Sequence, residues 1–278
     1  MSVAEKLALV KAKVDAAAAA RAGLRPSATV SAEAVGEEAA APAEAAPETT
    51  PETAPETVPE PSAPAAPAPV RLVAVSKIQP VEAIQEAYAA GHRHFGENYV
   101  QELIDKAPQL PEDVQWHFIG HLQSNKVAML IKNVPNLACL ETIDSEKLAR
   151  AVNKAWLQGE PGRKLPVFVQ VNSSGEETKN GVDAKDVAKL CHVIATELEG
   201  LEFSGLMTIG APDYSGCRTE DFETLFRCRS EVAELLGIDG SKMEMSMGMS
   251  SDFETAIREG STSVRVGSSI FGARPPKK

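Results

Sequence analysis

This chain has few cysteines, less base than acid and no long apolar run, and each shortage excludes a class of protein. The four cysteines, Cys139, Cys191, Cys217 and Cys228, form no C-x-x-C pair. That argues against a zinc site or a dithiol redox pair and for reduced thiols in a cytoplasmic protein. No stretch approaches the ~18 to 20 apolar residues of a membrane span, and there is no signal-peptide core. Lysine and arginine total 28 against 39 acidic residues, a net charge of -11. Phosphate backbones and anionic lipid surfaces repel such a chain, so neither nucleic acid nor membrane is an expected partner.

What is present falls into three stretches. Residues 1–25 read as a helix, with Leu7, Val10, Val14 and Ala17 at spacings of three and four on one apolar stripe. Glu5 and Asp15 within it speak against a transit peptide. Residues 26–69 are Ala, Pro, Glu and Thr, with the beat P-E-T-T, P-E-T-A, P-E-T-V. Between Ser31 and Glu60 this stretch holds eight glutamates and no lysine or arginine. Prolines that remove helix donors and glutamates that repel one another predict a disordered insertion. Residues 70–278 are different. Eight short β-like runs begin at Arg71, Arg93, Val114, Leu137, Pro166, Leu201, Lys242 and Thr262. Helical segments such as Pro80–Ala90, Glu146–Leu157, Ala184–Leu198 and Thr219–Leu235 separate them. Strand and helix alternating in this way imply parallel pairing through crossover helices. Eight units in roughly 200 residues predict a single (β/α)8 TIM barrel of the α/β class. An open doubly wound sheet is the rival arrangement.

A barrel builds its site at the C-terminal ends of its strands. The first run ends at Ser76-Lys77, the second at Glu97-Asn98, the third at Gly120-His121, the fifth at Asn172 and the sixth at Met207-Thr208. Lys77 follows an apolar run and precedes a helix, so it faces a partly desolvated mouth. Desolvation favours the neutral amine, which can attack an aldehyde. The alternative is a solvated strand-end lysine. After the last two runs come Gly248–Ser251 and Gly267–Ser269, donor-rich segments that each lead toward a helix. Such turns can cradle a phosphate. Arg265, inside an apolar strand, needs a partner if it points inward. A pyridine nitrogen would serve, and so would a salt bridge, for which Glu244 is the candidate. His117 and His121, four apart on one strand, face the same way, yet no further metal ligands stand at suitable spacing. Trp116 and Trp156 read as packing residues.

Six motifs together resemble the pyridoxal phosphate homeostasis protein family. They are L-V-A-V-S-K at Leu72–Lys77, H-F-G-E-N-Y-V-Q-E at His94–Glu102 and W-H-F-I-G-H-L-Q-S-N-K at Trp116–Lys126. G-L-M-T-I at Gly205–Ile209, M-S-M-G-M-S-S-D at Met245–Asp252 and G-S-T-S-V-R-V-G-S-S-I-F-G at Gly260–Gly272 complete the set. The resemblance implies a monomeric barrel similar to the N-terminal domain of alanine racemase. It implies pyridoxal 5'-phosphate (PLP) held as a Schiff base on Lys77, with the phosphate on Ser250, Gly267 and Ser268. Arg265 would face the pyridine nitrogen and Asn98 would lie beside the ring. It implies a role in intracellular vitamin B6 and amino-acid or keto-acid balance, with enzymes awaiting PLP as candidate recipients. Two departures stand out: Ile78 follows the lysine where Thr is expected, and the Pro/Ala/Glu insertion replaces a short link.

Two functions of different class compete. One is a PLP carrier without catalytic activity. The other is a racemase, which needs an acid/base group on each face of the substrate carbon. Alanine racemases take their second group, a tyrosine, from a separate domain. Here a dozen residues follow the last run, and of Tyr88, Tyr99 and Tyr214 only Tyr99 is near a strand end, where it reads as part of the next helix. The carrier is therefore the expected function. A cofactor-free aldolase using the same lysine is a third reading.

Overall fold

The computed structural model describes residues 1–23, 69–159, 162–175, 180–210 and 217–272. The expected disordered insertion lies, but for Pro69, outside them. Nine strands follow in chain order: β1 (Arg71–Val75), β2 (His94–Glu97), β3 (Gln115–Phe118), β4 (Leu137–Ile143), β5 (Leu165–Asn172), β6 (Val182–Asp183), β7 (Leu201–Met207), β8 (Glu244–Ser246) and β9 (Ser263–Val266). The helices are α1 (Val3–Gly23), α2 (Val81–Ala89), α3 (Val100–Lys106), α4 (Val127–Asn133), α5 (Glu146–Gly159), α6 (Ala184–Glu197), α7 (Thr219–Leu236), α8 (Phe253–Arg258) and α9 (Ser268–Phe271).

The strands run in the order β4-β3-β2-β1-β9-β8-β7-β5, and β4 pairs with β5, which closes the ring. All these pairings are parallel. The fold is the (β/α)8 barrel that the alternation predicts, and the open sheet is ruled out by closure. The eight barrel strands start within a few residues of their expected positions. β6 is an addition, a two-residue strand laid against the end of β5.

Alternation along the strands sorts the side chains into two layers. Leu72, Ala74, Phe95, Trp116, Phe118, Leu140, Val167, Val169, Leu206, Val264 and Val266 pack in one cluster with the buried faces of the helices. Cys139, Phe168 and Met207 form a separate small cluster. The bore around it is polar. Glu141 on β4 accepts a hydrogen bond from Ser246 on β8 at 2.6 Å, and those strands are not neighbours, so the bond crosses the bore. Trp116 and Trp156 are fully buried, as packing residues. Among the described residues no helix is long and apolar enough to cross a membrane.

Candidate active cavity at the mouth of the barrel

Lys77 is the second residue of a turn that opens where β1 stops. The Gln79 amide donates to the Ser76 carbonyl at 3.0 Å, and Ile78 takes a φ of 63°. That turn type favours glycine at this position, since a β-branched residue crowds its own backbone there. Lys77 lines a cavity of about 480 Å3 at the C-terminal ends of the strands. Asn98, Ser250, Arg265, Gly267 and Ser268 line the same cavity, so with Lys77 four separate strand ends, those of β1, β2, β8 and β9, meet there. A second hollow, about 550 Å3 between α1 and α8, shares Ser250, Ser251 and Ser269 but neither Lys77 nor Arg265.

The two serine-glycine turns are tied together. The Gly267 amide donates to Ser250 Oγ at 3.1 Å. Asp252 braces the first turn, accepting from the amides of Met249 at 2.6 Å and Cys217 at 2.7 Å. Ser268 and Ser269 open α9, where the first amides of a helix have no partner within the helix. Asn98, at the end of β2, has its Oδ1 buried with no hydrogen-bond partner. A buried acceptor left unpaired costs free energy, so it marks a place where a donor belongs. Gly120 lets the end of β3 lie against it, because a Cβ there would sit 2.0 Å from the Asn98 carbonyl oxygen.

Arg265 points into the bore and is 4% exposed. Its guanidinium donates to Ser246 Oγ at 2.6 Å and to the Thr208 carbonyl at 2.7 Å. The expected partner Glu244 is not used. It pairs instead with Arg71, which lies at its level of the bore, while Arg265 sits nearer the mouth. Behind Ser246 the bonding continues through Glu141 to His117 Nδ1 at 2.8 Å and from His117 Nε2 to His94 Nδ1 at 3.0 Å. Burial pushes the Glu141 carboxyl up, but the bond and charge of His117, then Arg265 and Ser246, hold it below its ordinary value.

His121 does not share a face with His117. β3 ends at Phe118, so His121 lies beyond the strand at the cavity rim, 3.1 Å from Asp144. Ligand atoms of His117, Cys139 and Glu141 lie within 4.8 Å of one another, a grouping spread over two adjacent strands that linear spacing does not reveal. His117 and Glu141 already bond each other there, and burial raises the Cys139 thiol well above its ordinary range. Among the expected strand-end residues, Glu97, Asn172 and Thr208 are buried and do not line the cavity. Gln170 and Asn180 do, joined by a bond from Gln170 Nε2 to the Asn180 carbonyl at 3.1 Å. A lone amide inside V-F-V-Q-V was the available signal for Gln170. Asn180 carries none, since only the β6 excursion brings it back over the mouth.

Residues 62–275 match the model of the alanine racemase N-terminal domain. A pyridoxal phosphate homeostasis protein of Bos taurus is 50% identical over 216 residues, covering 75% of this chain and 78% of its own. One from Schizosaccharomyces pombe is 51% identical over 213 residues, covering 75% and 86%. Among solved structures, PipY of Synechococcus elongatus with PLP bound is 37% identical, with a TM-score of 0.59, covering 73% of this chain and 92% of that one. The chain belongs to the pyridoxal phosphate homeostasis protein family, built on the alanine racemase N-terminal domain.

Proposed function

We propose that this protein binds PLP in the mouth cavity, carries it covalently on Lys77 and serves as a carrier in the cytoplasm, delivering it to enzymes that lack it. The observation that supports this most is the meeting in one cavity of an amine, two donor-rich turns, a guanidinium and an amide residue, Asn98. The volume lies within the range of cofactor pockets, ~300 to 1,000 Å3. The donor set suits the group. Ser250 and the turn Gly267-Ser268 would hold the phosphate, the Gly267 amide turning to it from Ser250 Oγ, a use of backbone donors common in such barrels. Arg265 would donate to the ring nitrogen. A guanidinium does not give up its proton near neutral pH, so it leaves that nitrogen unprotonated. When bound, PLP supplies an aldehyde carbon for amines but, over an unprotonated nitrogen, a weak sink for electrons. Asn98 would lie beside the ring.

A carrier rather than a racemase is supported by what faces Lys77. Among the described residues, the titratable side chains lining the cavity besides Lys77 are His121 and Arg265. Tyr99 is not among them; it is 51% exposed at the start of α3. The larger exposed apolar side chains, such as Leu9, Met129 and Leu235, lie on separate helices, which favours a monomer. The decisive experiment mixes purified protein with PLP and follows the absorption band of the covalent link. Borohydride should fix one cofactor per chain on Lys77, read by peptide mass. Lys77→Ala should show neither band nor mass, whereas retention of both would overturn the reading. The same result excludes a cofactor-free aldolase as the main activity.

A further inference from the structure

The residues on either side of Lys77 are gripped by one buried ionic cluster from β2 and α3. Ser76 Oγ donates to Glu97 Oε1 at 2.7 Å, and the Ser76 carbonyl accepts from Lys106 Nζ at 2.8 Å. Lys106 Nζ also donates to Glu97 at 2.8 Å and to Glu102 at 2.5 Å. Glu102 Oε1 in turn accepts the Ile78 amide at 2.6 Å. Glu97 is fully buried, the Lys106 side chain 8% exposed and the Glu102 side chain 21%. Ile78 is the one non-glycine residue with positive φ among those described. A β-branched residue does not rest in that region unless its surroundings hold it.

A salt bridge alone needs no contact with the turn. Here one contact lands on the backbone just before Lys77 and another on the backbone just after. Buried charges gain little stability over well-packed apolar groups, so geometry is the property they can add. We infer that Glu102, backed by Lys106, is a positioning residue that aims the Lys77 amine by holding Ile78 left-handed. The inference rests on the reading that Lys77 carries the cofactor. In attachment, the neutral Lys77 nitrogen forms a C=N bond to the aldehyde carbon. The C=O bond breaks, and its oxygen leaves as water with the two amine protons. Only the approach of the nitrogen depends on the turn. The phosphate turns lie on other strands and do not touch the cluster.

The test separates capture from docking. Capture of PLP is timed by stopped-flow absorbance, and docking is measured as equilibrium affinity for pyridoxine 5'-phosphate, an alcohol that cannot attach. Glu102→Ala should slow capture on the order of tenfold or more while leaving alcohol affinity within about twofold. Glu102→Gln keeps an oxygen for the Ile78 amide and should recover most of the rate. Capture by Glu102→Ala at the unsubstituted rate would overturn the inference, as would an equal loss of capture and alcohol affinity. A measurement independent of any variant is hydrogen exchange in the unsubstituted protein. The Ile78 amide should exchange slowly, and exchange at the rate of an open loop would also overturn it. If the unsubstituted protein binds the alcohol but never captures PLP on Lys77, the carrier reading fails, and this inference with it.

Discussion

Two histidines near the foot of the barrel are held neutral by the fold. Burial, then the charge of Lys11, lowers His92 from 6.5 to about 4. Burial, then His117 and Arg71, lowers His94 from 6.5 to about 3. The unfolded chain therefore binds these protons more tightly than the folded one. Stability is complete above about pH 6.5 and falls as pH drops toward 4 and then 3. For His92 alone the full effect is on the order of 3 kcal/mol. Glu141, held below its ordinary 4.5, adds to the loss at lower pH. Glu97, raised mainly by burial, acts oppositely, favouring the folded state in acid. The denaturant midpoint should fall between pH 7 and 4.5, and His92→Gln should flatten that slope; a midpoint indifferent to pH counts against this account. At this scale the residues that line the candidate cavity were partly legible. Lys77, Asn98, Ser250, Arg265, Gly267 and Ser268 could be read from strand ends and glycine-serine turns. The bonds of Glu102 and Lys106 to the turn around Lys77 could not, because on a short helix the two look like ordinary surface charges.

Among the elements, α1 has the clearest energetic role. Leu7, Val10, Val14 and Ala17, which the spacing puts on one stripe, are all buried. The helix docks on α2, α8 and α9, the last of which opens with Ser268. Its polar ties are peripheral: Lys13 to Glu254 at 2.8 Å and Arg21 to the Ser261 carbonyl at 2.8 Å. Exposed ion pairs contribute little, so the apolar stripe holds the helix. Leu7, 1% exposed, should cost about 3 kcal/mol when replaced by Ala. Leu9, 53% exposed, should cost less than about 0.5 kcal/mol. Equal denaturation midpoints for the two variants would show that α1 is not docked in solution. β6 escaped the periodicity, since two residues show no period.

At the scale of the whole molecule, one face of the proposed cofactor would be served by Lys77, and among the described residues the other titratable side chains lining the cavity are Arg265 and, at the rim, His121. Racemisation needs a proton removed from one face of a carbon and returned to the other. Purified protein loaded with PLP should therefore show no sustained racemisation of alanine or serine by chiral chromatography. Turnover that survives removal of contaminants and vanishes in Lys77→Ala would replace the carrier reading with the enzymatic one.

The amino-acid sequence by itself determined the alternation of strand and helix, hence parallel pairing, because side-chain periodicity and crossover handedness are local matters, while the pairing of β4 with β5 decided for a closed barrel over an open sheet. It also determined which strand ends bear an amine and which bear glycine-serine turns. Only closure of the barrel decided which polar residues meet inside it. Glu141 and Ser246 stand 105 residues apart yet share a hydrogen bond, and Arg265 takes Ser246 rather than Glu244. No local pattern encodes such pairs. They follow from strand order and register, which settle the depth at which each inward side chain enters the bore.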